Sequence, residues 1–177
     1  VRLKYATDRA NEKVEAFNGT YIGLENVSSG TGRFVPTDDV EVQGLSLRFQ
    51  PGSVLFGKLR PYLAKSLLVQ ETGVCSSEFL VLNGRELSGK YLHYLTLSPE
   101  FVTYVDSTTY GAKMPRASWA DISAFETPVP PLDEQRAIAD FLDRETAKID
   151  TLIEKQVRLI ELLEEKLQAV ITRAVTK

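Results

Sequence analysis

The alternation of apolar and polar residues changes character once along the chain. Up to about residue 130 the apolar runs are short and punctuated. Residues 20–24, 45–49, 54–59, 65–69 and 78–82 each have the length and the β-branched, leucine or aromatic content of a strand. Ser28-Ser29-Gly30-Thr31-Gly32, Pro51-Gly52 and Asn83-Gly84 supply turns around them. Residues 88–97, with Tyr91, Leu92 and Leu95 at helical spacing, predict a helix, and 99–105 a second short one. Beyond Pro131 the pattern becomes one sustained stripe: Ile138, Phe141, Leu142, Ile149, Ile153, Ile160, Leu163, Leu167, Val170 and Ala174. From Ile149 the intervals alternate four and three, which is a heptad seam with Gln156 as its polar member. Leu152 and Leu159 widen the stripe, so the helix is expected to pack on more than one neighbour.

The change is abrupt. All eleven Gly lie between Gly19 and Gly111 and all eight Pro between Pro36 and Pro131, so residues 132–177 contain neither. The stretch Thr127-Pro128-Val129-Pro130-Pro131 marks the boundary between a domain at 1–130 and a helix at 131–177. The fold class is α+β, a strand-rich domain followed by one long coiled-coil helix. Asp133 and Glu134 sit where carboxylates favour a helix start, and Asp140 with Arg144 and Glu154 with Arg158 are spaced for outer-face pairing. A helix of about 45 residues is roughly 65 Å long, whereas a domain of about 130 residues has a radius of gyration near 14 Å. The domain cannot cover the stripe, which is therefore expected to lie against another long helix, with Gln156 setting register.

Composition narrows the function by exclusion. The chain has 177 residues, 43% of them apolar and 25% charged, an ordinary globular mixture. The single Cys75 rules out an internal disulfide and suits a reducing, cytoplasmic setting. No apolar run is long enough to cross a bilayer and no secretory leader opens the chain, which starts at Val1 without an initiator Met, as a processed or excised piece would. One His and one Cys leave little from which to build a zinc site, and no cofactor or metal is expected. Gly30 and Gly32 are followed by Val35 where a phosphate loop needs Gly. His93 has no nucleophile motif beside it, Cys75 lies in a polar, turn-like segment, and Asp38, Asp39 and Glu41 read as a solvated acidic turn rather than a cation site. No acidic pair with Lys marks a small nuclease. The chain reads as a non-enzyme.

Two basic, turn-rich clusters remain. One is Phe56-Gly57-Lys58-Leu59-Arg60-Pro61-Tyr62 with Lys65; the other runs from Ser107 through Thr109, Tyr110, Gly111 and Lys113 to Arg116. Arg and Lys beside small and hydroxyl residues suit close approach to a phosphate or a base edge. Solvated loops have the same composition; if DNA is the partner, Lys58, Arg60, Lys113 and Arg116 are the candidate contacts, with Thr109 and Tyr110 in support, while Gly57 and Gly111 are expected to serve backbone geometry. Net charge is −3, near −1 over the first 130 residues and −2 over the rest, so these cations must concentrate on one face or share the phosphates with a partner.

The motifs carry a family likeness. Val129-Pro130-Pro131-Leu132-Asp133-Glu134-Gln135-Arg136-Ala137-Ile138-Ala139-Asp140-Phe141-Leu142, with the ending Ile171-Thr172-Arg173-Ala174-Val175-Thr176-Lys177, resembles the conserved helical region of type I restriction–modification specificity subunits. Tyr21-Ile22-Gly23-Leu24-Glu25-Asn26-Val27, Gly52 to Leu63 and Gly111-Ala112-Lys113-Met114-Pro115-Arg116 are similar to motifs of that family's target-recognition domain. The resemblance implies a DNA-reading domain at one end of a spacer helix, methyltransferase subunits docked on the helices, and a motor-nuclease subunit joining for restriction. A complete member carries two such domains and two helices, whereas this chain has one of each, as a half-subunit, a truncated product or a fragment would. Ile149, Ile153, Gln156, Ile160, Leu163, Leu167 and Val170 would then pair antiparallel with a second copy, a two-fold arrangement that places two readers on inverted half-sites. The alternative is a scaffold or regulatory fragment that pairs with intact subunits without reading DNA.

Overall fold

The computed structural model of the chain describes residues 1–15, 19–37, 45–111 and 113–176. Asp38, Asp39 and Glu41 lie outside them. The chain forms two compact units, Val1–Arg136 and Ala137–Lys177.

The first unit opens with a helical turn, α1 (Leu3–Ala6), and among the described residues eight strands follow: β1 (Thr7–Ala10), β2 (Lys13–Val14), β3 (Tyr21–Ile22), β4 (Ser46–Phe49), β5 (Val54–Gly57), β6 (Ser66–Leu68), β7 (Gly73–Ser76) and β8 (Phe79–Gly84). Helices α2 (Gly89–Leu97), α3 (Pro99–Ser107) and α4 (Trp119–Ile122) come next. One sheet has the order β1-β8-β5-β6 and is antiparallel throughout; the other has the order β2-β4-β7-β3, with β3 parallel to β7.

The central strands of the first sheet are buried on both faces, which explains why β5 and β8 are nearly continuous apolar runs rather than alternating ones. Val54, Phe56, Leu80 and Leu82 point to one side, where they meet Leu92, Phe101, Val105 and Ile122 from the helices. Phe101 stands edge-on to both Phe56 and Phe125, each with ring centroids 5.1 Å apart. Leu55, Phe79 and Val81 point to the other side, against Leu47, Phe49 and Cys75 of the second sheet. Ser88 and Ser98 cap α2 and α3 by accepting from Tyr91 N and Phe101 N, and Pro99 begins α3 where its missing N–H costs nothing.

Several local expectations need correction. The run 20–24 yields only the two-residue β3; Leu24–Asn26 then forms a 3₁₀ turn because the Asn26 side chain accepts from Gly23 N at 2.8 Å and donates to Val35 O at 3.1 Å. Asn83-Gly84 does not close β8 but belongs to it, with Gly84 paired to Thr7. Cys75 lies in no turn. It is the middle of β7, fully buried, and desolvation pushes its thiol up from 9.0 to about 12, which the charge of Lys58 only partly offsets. Native Cys75 is therefore expected to resist a thiol reagent at pH 8 and to react at once after unfolding. The folded thiol holds its proton longer than the unfolded one. Stability should therefore fall as pH rises from about 9 toward 12, by up to about 1.4 kcal/mol per unit, and Cys75→Ala should flatten that fall in alkaline denaturant titrations.

α5 (Leu132–Val175) is one continuous helix of 44 residues, roughly 66 Å long. No Gly or Pro interrupts it, and Asp133 and Glu134 complement its start. Arg158 pairs with Glu161 at 2.8 Å instead of taking Glu154 as expected. Along the second unit Ile149, Ile153, Ile160, Leu163, Leu167 and Val170 are each between 54% and 61% exposed. Their helix neighbours shield only the rest of each side chain. No helix among the described residues is long and apolar enough to cross a membrane.

Candidate nucleic-acid interface

Strand register decides which charges meet. β1 ends at Ala10 opposite Val81, β8 begins at Phe79, and β5 ends at Gly57 opposite Phe79. Arg9, Glu78 and Lys58 therefore gather at one end of the first sheet, although about seventy positions separate Arg9 from Glu78 in the chain. The two basic clusters join them through backbone bonds. Tyr110 and Arg116 exchange N–H···O bonds of 3.2 and 3.0 Å and close a loop over residues 111–115. That loop is stitched to the segment after β5: Arg60 N donates to Pro115 O at 2.8 Å, Ala117 N donates to Lys58 O at 3.0 Å, and Leu59 bridges Arg116. Lys58 N donates in turn to Glu78 O at 2.8 Å. What reads in the sequence as two patches is one surface.

Backbone conformations are demanding there. Gly111 has φ +95°, which a side chain would strain, and at Gly57 a Cβ would stand 3.0 Å from Leu24 Cδ2. Arg60 and Ala64 adopt left-handed conformations at either end of the 3₁₀ turn Pro61–Leu63, with φ of 50° and 47°. Such geometry costs on the order of 1–3 kcal/mol per residue and persists where surrounding bonds over-determine it. At Arg60 the bond to Pro115 O does so.

The candidate side chains differ in how free they are. Tyr110 is 62% exposed, and Lys113 and Arg60 are exposed as well. The Thr109 hydroxyl donates to Asp106 O at 2.8 Å, as the Thr108 hydroxyl does to Val105 O, so both first satisfy carbonyls at the end of α3. Lys65 donates to Leu24 O at 2.6 Å and serves the fold. Arg116 reaches Glu78 Oε1 at 2.8 Å. Lys58 is half-buried, and desolvation lowers its pKa; Glu78 opposes that shift, while Arg9 and Arg116 add to it. These four charged residues thus share one field.

Arg9 and Glu78 are the members of this group that reading the sequence missed. Arg9 sits in Thr7-Asp8-Arg9-Ala10, where nothing apolar signals a strand, and only the pairing with β8 carries it to the site. Arg9 also lines an open cleft of about 390 Å³ together with Lys4, Asn11 and Trp119. Among the described residues no group of His, Cys, Asp and Glu could hold a metal ion.

Comparison with known proteins places this arrangement. The chain is 27% identical over 143 residues to the type I restriction enzyme EcoDI specificity subunit of Escherichia coli, covering 79% of this chain and 32% of that protein. Its fold is similar to the crystal structure of the HsdS subunit from Thermoanaerobacter tengcongensis, with a TM-score of 0.67 and 23% identity over 86% of this chain and 43% of that one. It is also similar, at a TM-score of 0.78 and 20% identity, to a chain from a study of complex assembly and conformational transition of the type I R-M system. That match covers 98% of this chain and 48% of the other. The chain thus spans about a third of the curated relative and under half of each solved structure. The family described as the type I restriction modification DNA specificity domain matches residues 47–162, more than half of the length, and the chain belongs to that family.

Proposed function

We propose that this chain is a DNA-sequence specificity module of a type I restriction–modification complex. Residues 1–130 read one half of a bipartite double-stranded site, and the helix over 131–177 spaces the reader and docks methyltransferase subunits, which a motor-nuclease subunit joins for restriction. The observation that carries the reading is the joining of the 58–60 and 110–116 segments, with Arg9, into one basic surface on an otherwise acidic chain. Concentrating cations on one face meets the requirement set by the net charge of −3. Lys58, Arg60, Lys113 and Arg116 contact DNA, with Thr109 and Tyr110 at the edge. No catalytic step belongs to this chain, and methyl transfer and cleavage fall to the partners.

The exposed heptad seam supports an antiparallel homodimer paired through Ile149, Ile153, Gln156, Ile160, Leu163, Leu167 and Val170. Such a pair would present two identical readers to inverted half-sites. The combined Lys113→Ala and Arg116→Ala variant is expected to lose at least tenfold in duplex affinity near physiological salt. The slope of log affinity against log salt should become shallower by about 1 for each of the two that meets a phosphate. Affinity and slope equal to the unsubstituted chain would sink the assignment. An assembly with methyltransferase subunits that methylates no symmetric bipartite sequence would point instead to a scaffold fragment.

A further inference from the structure

We infer that Glu78 is a positioning residue: it holds the Arg116 guanidinium so that its outward edge can make a two-pronged contact with one guanine of the half-site. The inference rests on the DNA-reading role proposed above and adds how one base would be chosen.

The main chain of Arg116 is immobilised on both sides. It pairs with Tyr110 across the loop and with Leu59 on the neighbouring segment, and the following residue, Ala117, donates to Lys58 O. The side chain is then oriented by one bond, from Arg116 Nη2 to Glu78 Oε1 at 2.8 Å. Glu78 is itself held in place. Its N–H donates to Ser76 Oγ at 3.2 Å, its carbonyl accepts from Lys58 N, and its side chain is only 27% exposed. Arg116 remains 44% exposed, and a guanidinium has five N–H donors, of which this bond takes one. Its end is thus anchored on the protein side while part of it faces solvent.

A carboxylate in this position is a poor choice for phosphate affinity, because it cancels positive charge among Arg9, Lys58 and Arg116. It also leaves Glu78 Oε2 buried without a hydrogen-bond partner, an arrangement that costs stability. Holding a phosphate needs only a point charge, which Lys58 and Lys113 already provide. Reading a base edge needs a plane held in one orientation, and an Arg braced by a carboxylate meets that need. Guanine offers two adjacent acceptors, N7 and O6, in the major groove, which match the fork of a guanidinium. The ion pair therefore exchanges affinity for discrimination.

The test is selection of the full chain on a randomised duplex pool, followed by titration of individual duplexes, for the unsubstituted protein and for Glu78→Gln, Arg116→Ala, Arg116→Lys and the Glu78→Gln, Arg116→Ala pair. A guanine preference is expected in the selected sequence. It should fall roughly tenfold in both Glu78→Gln and Arg116→Ala, at the same position, with no further loss in the double variant. Glu78→Gln should keep or raise affinity for the unselected pool, and both Glu78→Gln and Arg116→Ala should leave the salt slope nearly unchanged, whereas Lys113→Ala should make it shallower by about 1. Arg116→Lys retains the charge without the fork and tests the contact independently of Glu78. It should lose the guanine preference at an unaltered slope.

If Glu78→Gln keeps a preference that Arg116→Ala loses, Glu78 does not position the reader. A uniform loss of affinity in Glu78→Gln with the preference intact would reduce Glu78 to a structural role. A full preference in Arg116→Lys would remove the two-pronged contact. Failure of the unsubstituted chain to enrich any sequence would overturn the DNA-reading proposal, and this inference with it.

Discussion

Replacing Ile160 and Leu163 together by Glu is expected to abolish the pairing proposed for α5 and leave a monomer. Both lie on the seam of α5, each 55% exposed, in a row whose other apolar members are uncovered to a similar degree. Fully burying an aliphatic side chain contributes about 1.5–3 kcal/mol. In a two-fold pair each substitution counts twice, so four such contributions disappear while four carboxylates enter an apolar interface. Scaled by the exposed share of each side chain, those contributions come to about 3–7 kcal/mol, and desolvating four carboxylates adds several more, so the loss is comparable with the roughly 8 kcal/mol of a micromolar dimer. Arg158→Ala, which removes an exposed pair with Glu161, is the control and should leave association unchanged. Sedimentation equilibrium reads the result directly. A dimer that survives the double substitution would show that the seam lies elsewhere, and a monomeric unsubstituted chain would assign the stripe to the helix of a different protein.

Gln135→Ala should lower stability by about 3–5 kcal/mol, on the order of a 10 °C drop in melting temperature. Gln135 is fully buried in the first turn of α5, and its carboxamide makes three bonds to main chain. Oε1 accepts from Ser88 N at 2.7 Å, and Nε2 donates to Glu86 O at 2.8 Å and to Pro130 O at 2.9 Å. Truncation leaves one donor and two acceptors without partners, each costing about 1–3 kcal/mol when kept from water. Gln135→Glu tests the chemistry rather than the size: a carboxylate would face the Glu86 and Pro130 carbonyls with no hydrogen to donate. It should be no better than Ala. Arg136→Ala, one position on and exposed, should change stability by less than about 0.5 kcal/mol. Melts of Gln135→Ala within 2 °C of the unsubstituted protein would show that the amide does not clamp the helix start.

The features legible along the chain are those whose signal is local. A run without Gly or Pro and with apolar residues at heptad spacing has little choice but to be one helix, and α5 spans Leu132–Val175 accordingly. The helices begun near residues 88 and 99 and the apolar runs at β5 and β8 declare themselves for the same reason. Thr7-Asp8-Arg9-Ala10 and Gly73-Val74-Cys75-Ser76 do not, because each becomes a strand only through a neighbour: β8 for the first, β3 and β4 for the second. Lys58 and Arg116 stand out as basic residues in turn-rich sequence. That they share a surface with Arg9 and Glu78 does not follow from it, since charges far apart in the chain meet only when strand register brings their ends together. By itself the sequence determined the long helix, its heptad stripe and the basic residue types of the candidate surface. The tertiary structure decided which of those residues stand side by side, because backbone pairing between distant segments, and not spacing along the chain, sets the distances between charges.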